Sequence, residues 1–378
     1  MKKVLVSLSL FLLVVLAACN GNGGKQGAGN APETAQEDSL KYAQVLQINR
    51  GNGYDEVVVK NPWKNGVVLQ KYILVSRDGE MPENLPEGTV VKVPLQRAVV
   101  YSSVHAGVMK EVSGSYDAIA GITDRAYFNV PEIEERVQQG LVADCGSSMS
   151  PTVEKIVELE PDAIILSPFE NAGYGPLTTL GIPILECADY MEATPLGRAE
   201  WVKFFGLLTG CEQKAAEIFA QVEKDYNELK AKTVNVEKRP KIVTESVSNG
   251  VWYVPGGKSY MAQIFKDAGA DYPWKDTEDA GSIQLDFAQV FDKAHDADFW
   301  LVKTFGVDVT KDYMIKSYKL NGEMDALNNG GLYYCNTMTS SLYADFPFHP
   351  EVLLRDMTAI FHPELMQGYT QKYYIKAK

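Results

Sequence analysis

Apolar positions along this chain fall into successive rhythms, and each rhythm predicts a different kind of element. Residues 40–95 carry short alternating runs, among them "DEVVVKNPW" and "GVVLQKYILVSRDG", broken by Gly, Asn and Pro. Period-two alternation bounded by turn residues predicts hairpin strands at an edge. From Arg97 the rhythm changes. "RAVVYSS", "DAIAGIT", "DAIILSP" and "IPILECAD" are compact apolar runs and predict buried strands, while "HAGVMKEVSG", "NVPEIEERVQQG", "TVEKIVELE" and "GYGPLTTLG" have helical spacing between them. Alternation of this kind predicts parallel strands with helices on both faces. Ligands of such sheets bind at the carboxyl ends of the strands.

Residues 195–235 are strongly helical, with Ile218, Phe219, Val222 and Tyr226 as the apolar stripe. The alternation then resumes with "PKIVTES" as strand, "SYMAQIFKDAGA" and "DFAQVFDKAH" as helices and "ADFWLVKT" as strand, and "PEVLLRDMTAIFHPEL" closes the chain as an amphipathic helix. The predicted fold is α/β: two Rossmann-like lobes joined by one long helix, with an N-terminal β-hairpin extension. Its expected parts are the extension at 39–96, packing on an N-lobe at 97–194, connecting helices at 195–235 and a C-lobe at 236–378.

The start of the chain has a separate pattern. "MKKVLVSLSLFLLVVLAAC" combines Lys2 and Lys3 with an apolar run from Val4 to Leu16 and small residues before Cys19, which predicts a signal peptide over residues 1–18. Leu16-Ala17-Ala18-Cys19 is similar to the bacterial lipobox, which implies cleavage before Cys19 and lipid attachment to it. Residues 19–38, rich in Gly, Ala, Asn and Gln, lack periodicity and predict a flexible leash. The expected location is the periplasm, with the body tethered to a membrane through lipidated Cys19.

The apolar fraction of 46% and charged fraction of 22% are those of an ordinary globular body. Removing Lys2 and Lys3 with the leader takes the formal charge from −13 to −15, which argues against nucleic acid and against extended contact with anionic lipid. Cys145, Cys187, Cys211 and Cys335 are widely spaced and form no Cys-x-x-Cys signature; their pairing stays open at this stage.

One acid stands out locally. In "SPTVEKIVELEPDAIIL", residues 150–166, Ser150 fits an N-cap and Pro151 the first helical position. Val153, Ile156 and Val157 form the expected buried stripe, which turns Glu154, Lys155 and Glu158 to water. A carboxylate in a first helical turn gains about 0.3–1 kcal/mol from the helix dipole, so Glu154 has a local reason to be there.

The ordered motifs "RAVVYSSVHA", "VEKIVELEPDAIILS" with "LGIPIL", "TPLGRAEWVKFFGLLTG", "VWYVPGGKSYMAQIFKDAGADYPW" and "HPEVLLRDMTAIFHPE" resemble the substrate-binding lipoproteins of bacterial ABC importers for iron complexes, haem and cobalamin. The likeness runs from about Arg97 to the C-terminus and is nearest to the Bacteroidetes branch. It implies the helical-backbone periplasmic-binding-protein fold, a chelated metal as cargo in the interlobe cleft, no cofactor, and a partner permease dimer in the inner membrane with its ATPase. A ferric siderophore is the first expected ligand, with haem or cobalamin next. The resemblance also implies one surface glutamate per lobe docking on the permease. Glu154 matches the N-lobe position. On the C-lobe the chain departs from the pattern, because "LDFAQVF" has Ala288 at the glutamate position, which leaves Asp286, two residues earlier, as the expected docking substitute with Asp292 as the other candidate.

Strand ends then name the expected ligand residues. On the N-lobe these are Ser102, Ser103 and His105, Arg125 and Tyr127 beside Asp124, Phe169 and Tyr174, and Tyr190 beside Asp189. On the C-lobe they are Trp252, Tyr253, Trp274 and Lys303, with Phe305, Tyr333 and Tyr334 near them. Aromatic faces and a few cations suit a flat chelate through stacking, cation–π contact and charge-assisted bonds. His105 fits either an axial metal ligand or a helix cap. The other histidines, at 295, 349 and 362, lie off the predicted cleft, so the sequence does not assemble a bare-metal site.

A chelatase or hydrolase using His105 with Asp124 or Asp189 is the alternative. "CGSSMSP" lacks Gly-x-Ser-x-Gly spacing and "PGGKS" falls short of a phosphate loop, so the expectation is a binding protein rather than an enzyme.

Overall fold

The computed structural model describes residues 36–38 and 40–378; the expected signal peptide, Cys19 and the leash up to residue 35 lie outside the described residues. Ala98, Val99 and Val100 are buried on both faces and form the central strand of a five-stranded sheet. Its order is Ile184–Glu186, Ala163–Leu166, Ala98–Val100, Ile119–Ile122 and Ala143–Asp144, and every pairing is parallel. The chain runs outward from Ala98–Val100 on one side and returns to its other side with Ala163–Leu166. That reversal opens a crevice between the ends of these two strands.

The second parallel sheet holds Ile242–Thr244, Phe299–Thr304 and Leu332–Asn336, with Ile375–Lys376 added antiparallel at its edge. Beside it lies an antiparallel sheet of Val247–Ser248, Val251–Pro255 and Ser282–Leu285, which the alternation of predicted elements did not include. Its central strand alternates, with Trp252 and Val254 inward and Tyr253 outward.

Between the two parallel sheets come three helices, Pro195–Glu200, Val202–Thr209 and the 22-residue Glu212–Thr233. Thr194 caps the first by accepting from Gly197 N at 3.0 Å, and Pro195 occupies its opening position. Gly210 ends the second with φ of 69°, a conformation that favours glycine. The long helix buries Ile218, Phe219, Val222, Tyr226 and Leu229. It packs along the C-terminal helix Pro350–Phe361, and its Tyr226 hydroxyl donates to Asp267, at the end of the helix Tyr260–Asp267, at 2.9 Å.

The N-terminal extension contains the expected hairpins, but they form a sheet of their own rather than the edge of another. Gln36–Asp38, Leu46–Arg50, Tyr54–Lys60 and Val68–Ser76 pair antiparallel in sequence order, but Thr89–Val93 joins Val68–Ser76 in parallel. A parallel pair needs a crossover, which residues 77–88 supply. Gln36–Asp38 pairs with Ile48–Arg50, so the last residues assigned to the leash belong to this sheet. Tyr72 fixes the sheet to its neighbours. Its ring lies 6.3 Å from Phe204, and its hydroxyl donates to Ile184 O at 3.0 Å and accepts from Glu186 N at 2.7 Å.

Residues 146–158 differ from expectation. Gly146–Ser147 and Ser150–Pro151 form a tight antiparallel pair, so Ser150 is not an N-cap and Pro151 is not helical. The helix is Val153–Glu158, entered from Thr152. Ile156 is fully buried, Val153 half-buried and Val157 exposed, because six residues make too short a helix to bury a full stripe. All four described cysteines are free thiols.

Candidate functional site

The crevice at the strand reversal is a cavity of about 550 Å³, walled by Tyr101, Ser102, Ser167, Phe169 and Tyr174. Ser102 caps the helix Ser103–Ser113, accepting from Val104 N at 3.2 Å, so the cavity has that helix start at its floor. Ser103 is the first residue of the helix and is half-buried. Tyr174 donates its hydroxyl to Glu186.

A second cavity, of about 540 Å³, lies where the short turn Asp189–Met191 of the first sheet faces the second sheet. Tyr190 belongs to its wall and donates to Pro168 O at 2.5 Å, next to Phe169 of the first cavity. The opposite wall is aromatic: Tyr253, Tyr260, Tyr343, Phe346 and Tyr374. Burial pushes the Tyr343 and Tyr374 hydroxyls up, so both stay protonated and able to donate.

One ion pair sits in this wall. Glu245 follows the strand Ile242–Thr244 with φ of 62°, which costs a non-glycine residue on the order of 1–3 kcal/mol. It is held there by its own N–H on Leu301 O at 2.8 Å and by Trp300 Nε1, which donates to Glu245 O at 2.7 Å. The turn aims its carboxylate at Lys303 Nζ, and the two are paired. Burial works against the charge on Lys303, but Glu245 outweighs it and holds the ammonium well above the ordinary lysine range.

Behind Tyr260 and Phe346 lies a buried polar cluster. The Arg198 guanidinium is 5.2 Å from the Tyr260 ring centre and 5.9 Å from that of Phe346, and its Nε donates to Asp189 Oδ2 at 3.0 Å. His105 Nε2 meets Asp189 Oδ1 at 3.2 Å, while its Nδ1 has no partner. Burial alone would raise Asp189, yet Arg198 and His105 together hold its carboxyl below the ordinary carboxylate range.

Several of the expected ligand residues lie elsewhere. Trp252 and Trp274 are core residues, not cleft residues. Trp252 is fully buried, donates to Thr244 O at 2.8 Å and stacks on Trp300 at 5.6 Å, and Trp274 packs edge-on against Tyr272 at 5.5 Å. His105 neither caps the helix nor reaches the cleft; it is 1% exposed and serves the Asp189 cluster. Tyr334 is buried. Arg125 and Tyr127 stand apart from both cavities. Arg125 is forked onto Glu134, with Nε to Oε2 at 2.8 Å, and Tyr127 is exposed with its ring 6.0 Å from Phe305.

Glu154 is exposed on its short helix. Asp286 is occupied by a capping box: its carboxylate accepts from Gln289 N at 2.8 Å, and Gln289 Oε1 accepts from Asp286 N at 2.9 Å. Asp124, offered with His105 and Asp189 as acid or base, accepts from Ser148 N at 3.2 Å. His105 and Asp189 do touch, but both are walled off from solvent.

The sequence reading missed Glu245, Tyr260, Tyr343, Phe346 and Tyr374. Glu245 ends a predicted strand, so the rule that found Lys303 applies to it equally. Tyr374 carried no such signal, because only the return of Ile375–Lys376 to the second sheet brings it near Lys303. No group of three or more His, Cys, Asp or Glu side chains placed to hold a metal occurs among the described residues.

Strand ends of two parallel sheets facing one aromatic cleft across a helical connection define a solute-binding architecture. The chain belongs to the periplasmic binding protein family, whose sequence model matches residues 99–338. It is 27% identical over 416 aligned positions to an uncharacterized lipoprotein of Methanocaldococcus jannaschii, covering 100% of this chain and 97% of that one. It is 24% identical over 277 positions to an iron-uptake system-binding protein of Bacillus subtilis, covering 72% and 71%. Its fold is similar to a solved TroA-like periplasmic binding protein, FepB, from Veillonella parvula, with a TM-score of 0.56 at 17% identity over 77% of this chain and 97% of that one.

Proposed function

We propose that the protein is the solute-binding component of an ABC importer, capturing a chelated metal complex in the cleft and delivering it to an inner-membrane permease. The observation that carries this reading is the cavity between the lobes, lined by tyrosines with one lysine at its base. Aromatic faces recognise a flat or globular chelate by contact area, and protonated tyrosine and serine hydroxyls donate to its oxygen atoms. The likeness to an iron-uptake binding protein supports iron as the metal. A ferric siderophore is the foremost ligand, with haem and cobalamin behind it. The ligand would span both cavities, from Ser102, Phe169 and Tyr174 past Tyr190 to Tyr253 and Lys303.

Delivery would use Glu154 as the N-lobe docking charge on the permease dimer with its ATPase. The likeness to a lipoprotein supports a periplasmic body tethered through Cys19. Titration of the purified protein with a ferric siderophore, haem and cobalamin, followed by calorimetry, tests the reading. It expects stoichiometric binding of one class without turnover, weakened at least tenfold by Tyr253→Ala, on the order of what one aromatic anchor supplies. Chemical conversion of the ligand by the pure protein would favour the chelatase or hydrolase alternative instead.

A further inference from the structure

The cations around the cleft share one feature: each already has an acid. Lys303 is paired with Glu245 inside the aromatic wall of the second cavity. Arg198, behind Tyr260 and Phe346, is paired with Asp189 at 3.0 Å. Lys258, next to the wall residue Ser259, is paired with Glu278. Among the described residues that line the two cavities, Lys303 and Glu245 are the only charged ones, and those of the N-lobe cavity include none. The remaining polar atoms are neutral hydroxyls and backbone groups. The whole chain adds a negative field, with a formal charge of −13.

We infer that the cleft selects metal chelates carrying no net negative charge and rejects polyanionic ones. This rests on the chelate-binding reading above. A polyanion entering the cleft loses its hydration, and an aromatic wall does not replace it. At Lys303 it would also meet Glu245, whose carboxylate, aimed there by its strained turn, stands beside the incoming negative charge. An uncharged chelate meets neither obstacle. Its carbonyl, amide or hydroxamate oxygens accept from tyrosine and serine hydroxyls, and its apolar rim lies on the rings. Uncharged trihydroxamate chelates of iron and an uncharged corrinoid share this chemistry.

The test is calorimetric titration of the full mature chain at low salt with four probes: ferrichrome and cyanocobalamin as uncharged chelates, and ferric enterobactin and haem as anionic ones. Wild type should bind one uncharged probe at least about 100-fold tighter than the trianionic ferric enterobactin. Glu245→Gln frees Lys303 and should narrow that gap by about tenfold or more, by strengthening the trianion. Ser282→Lys adds an unpaired cation on an exposed strand of the same wall and should narrow it likewise, whether or not Glu245→Gln folds. Wild type binding ferric enterobactin or haem as tightly as either uncharged probe overturns the inference while leaving the chelate reading intact. Binding of none of the four overturns the chelate reading and this inference with it.

Discussion

Asp189 shows how one buried residue orders this cleft. It satisfies Arg198 at 3.0 Å and His105 at 3.2 Å, and Arg198 in turn backs two rings of the binding wall. Asp189→Asn leaves a buried guanidinium without its counter-charge and should cost about 3–5 kcal/mol, read from urea unfolding at neutral pH. Because the folded carboxyl lies below its ordinary value of 3.8, the stabilisation is complete above that value and is lost as pH falls through the folded one. The difference between wild type and variant should therefore be flat at neutral pH and shrink in acid. A constant difference down to the lowest measurable pH would contradict the pairing. Residue chemistry was partly legible in the sequence. The strand-end rule picked out Lys303, Tyr190 and Asp189, but applied to Trp252 it failed, since that residue points inward on the alternating strand Val251–Pro255.

Elements carry the connection between the lobes. Glu212–Thr233 spans ~33 Å as one uninterrupted helix and is bonded at both ends, through Glu212 to Arg50 at 2.6 Å and through the Thr233 hydroxyl, which donates to Asp267 O. A second tie joins the helix Ser103–Ser113 to the start of Pro350–Phe361, where His349 meets Glu111 at 2.8 Å and Glu351 at 3.0 Å. Closure on ligand should accordingly be small, and scattering curves with and without saturating ligand should nearly superimpose; a large contraction would contradict a rigid connection. The His349 tie has its own signature. Burial opposes its charge, but Glu111 and Glu351 outweigh it and push it up to about 10 from an ordinary 6.5, so its stabilisation is complete below 6.5 and fades as pH rises toward 10. His349→Gln should cost on the order of 1 kcal/mol at pH 6, after solvent screening, and nearly nothing at alkaline pH. An equal loss at both pH values would show packing, not charge, to be responsible. The helical stripe of the long helix was plain in sequence because one face of 22 residues repeats its period several times. The N-terminal sheet was not, because alternation identifies strands without saying which neighbour each one pairs with, and the parallel Thr89–Val93 pairing depends on tertiary packing.

The whole molecule carries a cleft and, away from it, the proposed docking charge. Glu154 is exposed on a short helix outside both cavities, so Glu154→Lys should leave ligand affinity unchanged and alter stability by less than about 1 kcal/mol. Uptake by cells should nonetheless fall, most steeply at low salt, because attraction at the permease contact becomes repulsion. Asp286→Ala should behave differently, losing about 1 kcal/mol of helix capping with a smaller effect on uptake, and the reverse order of effects would displace Glu154 from its role. The central claim is that the cleft holds a chelated metal, and the most direct measurement is the visible spectrum and metal content of the protein purified without chelators from its iron-limited native host. The account predicts a coloured protein with stoichiometric metal, and loss of both in Tyr253→Ala. A colourless, metal-free protein that stays so after incubation with ferric siderophore, haem and cobalamin would contradict it.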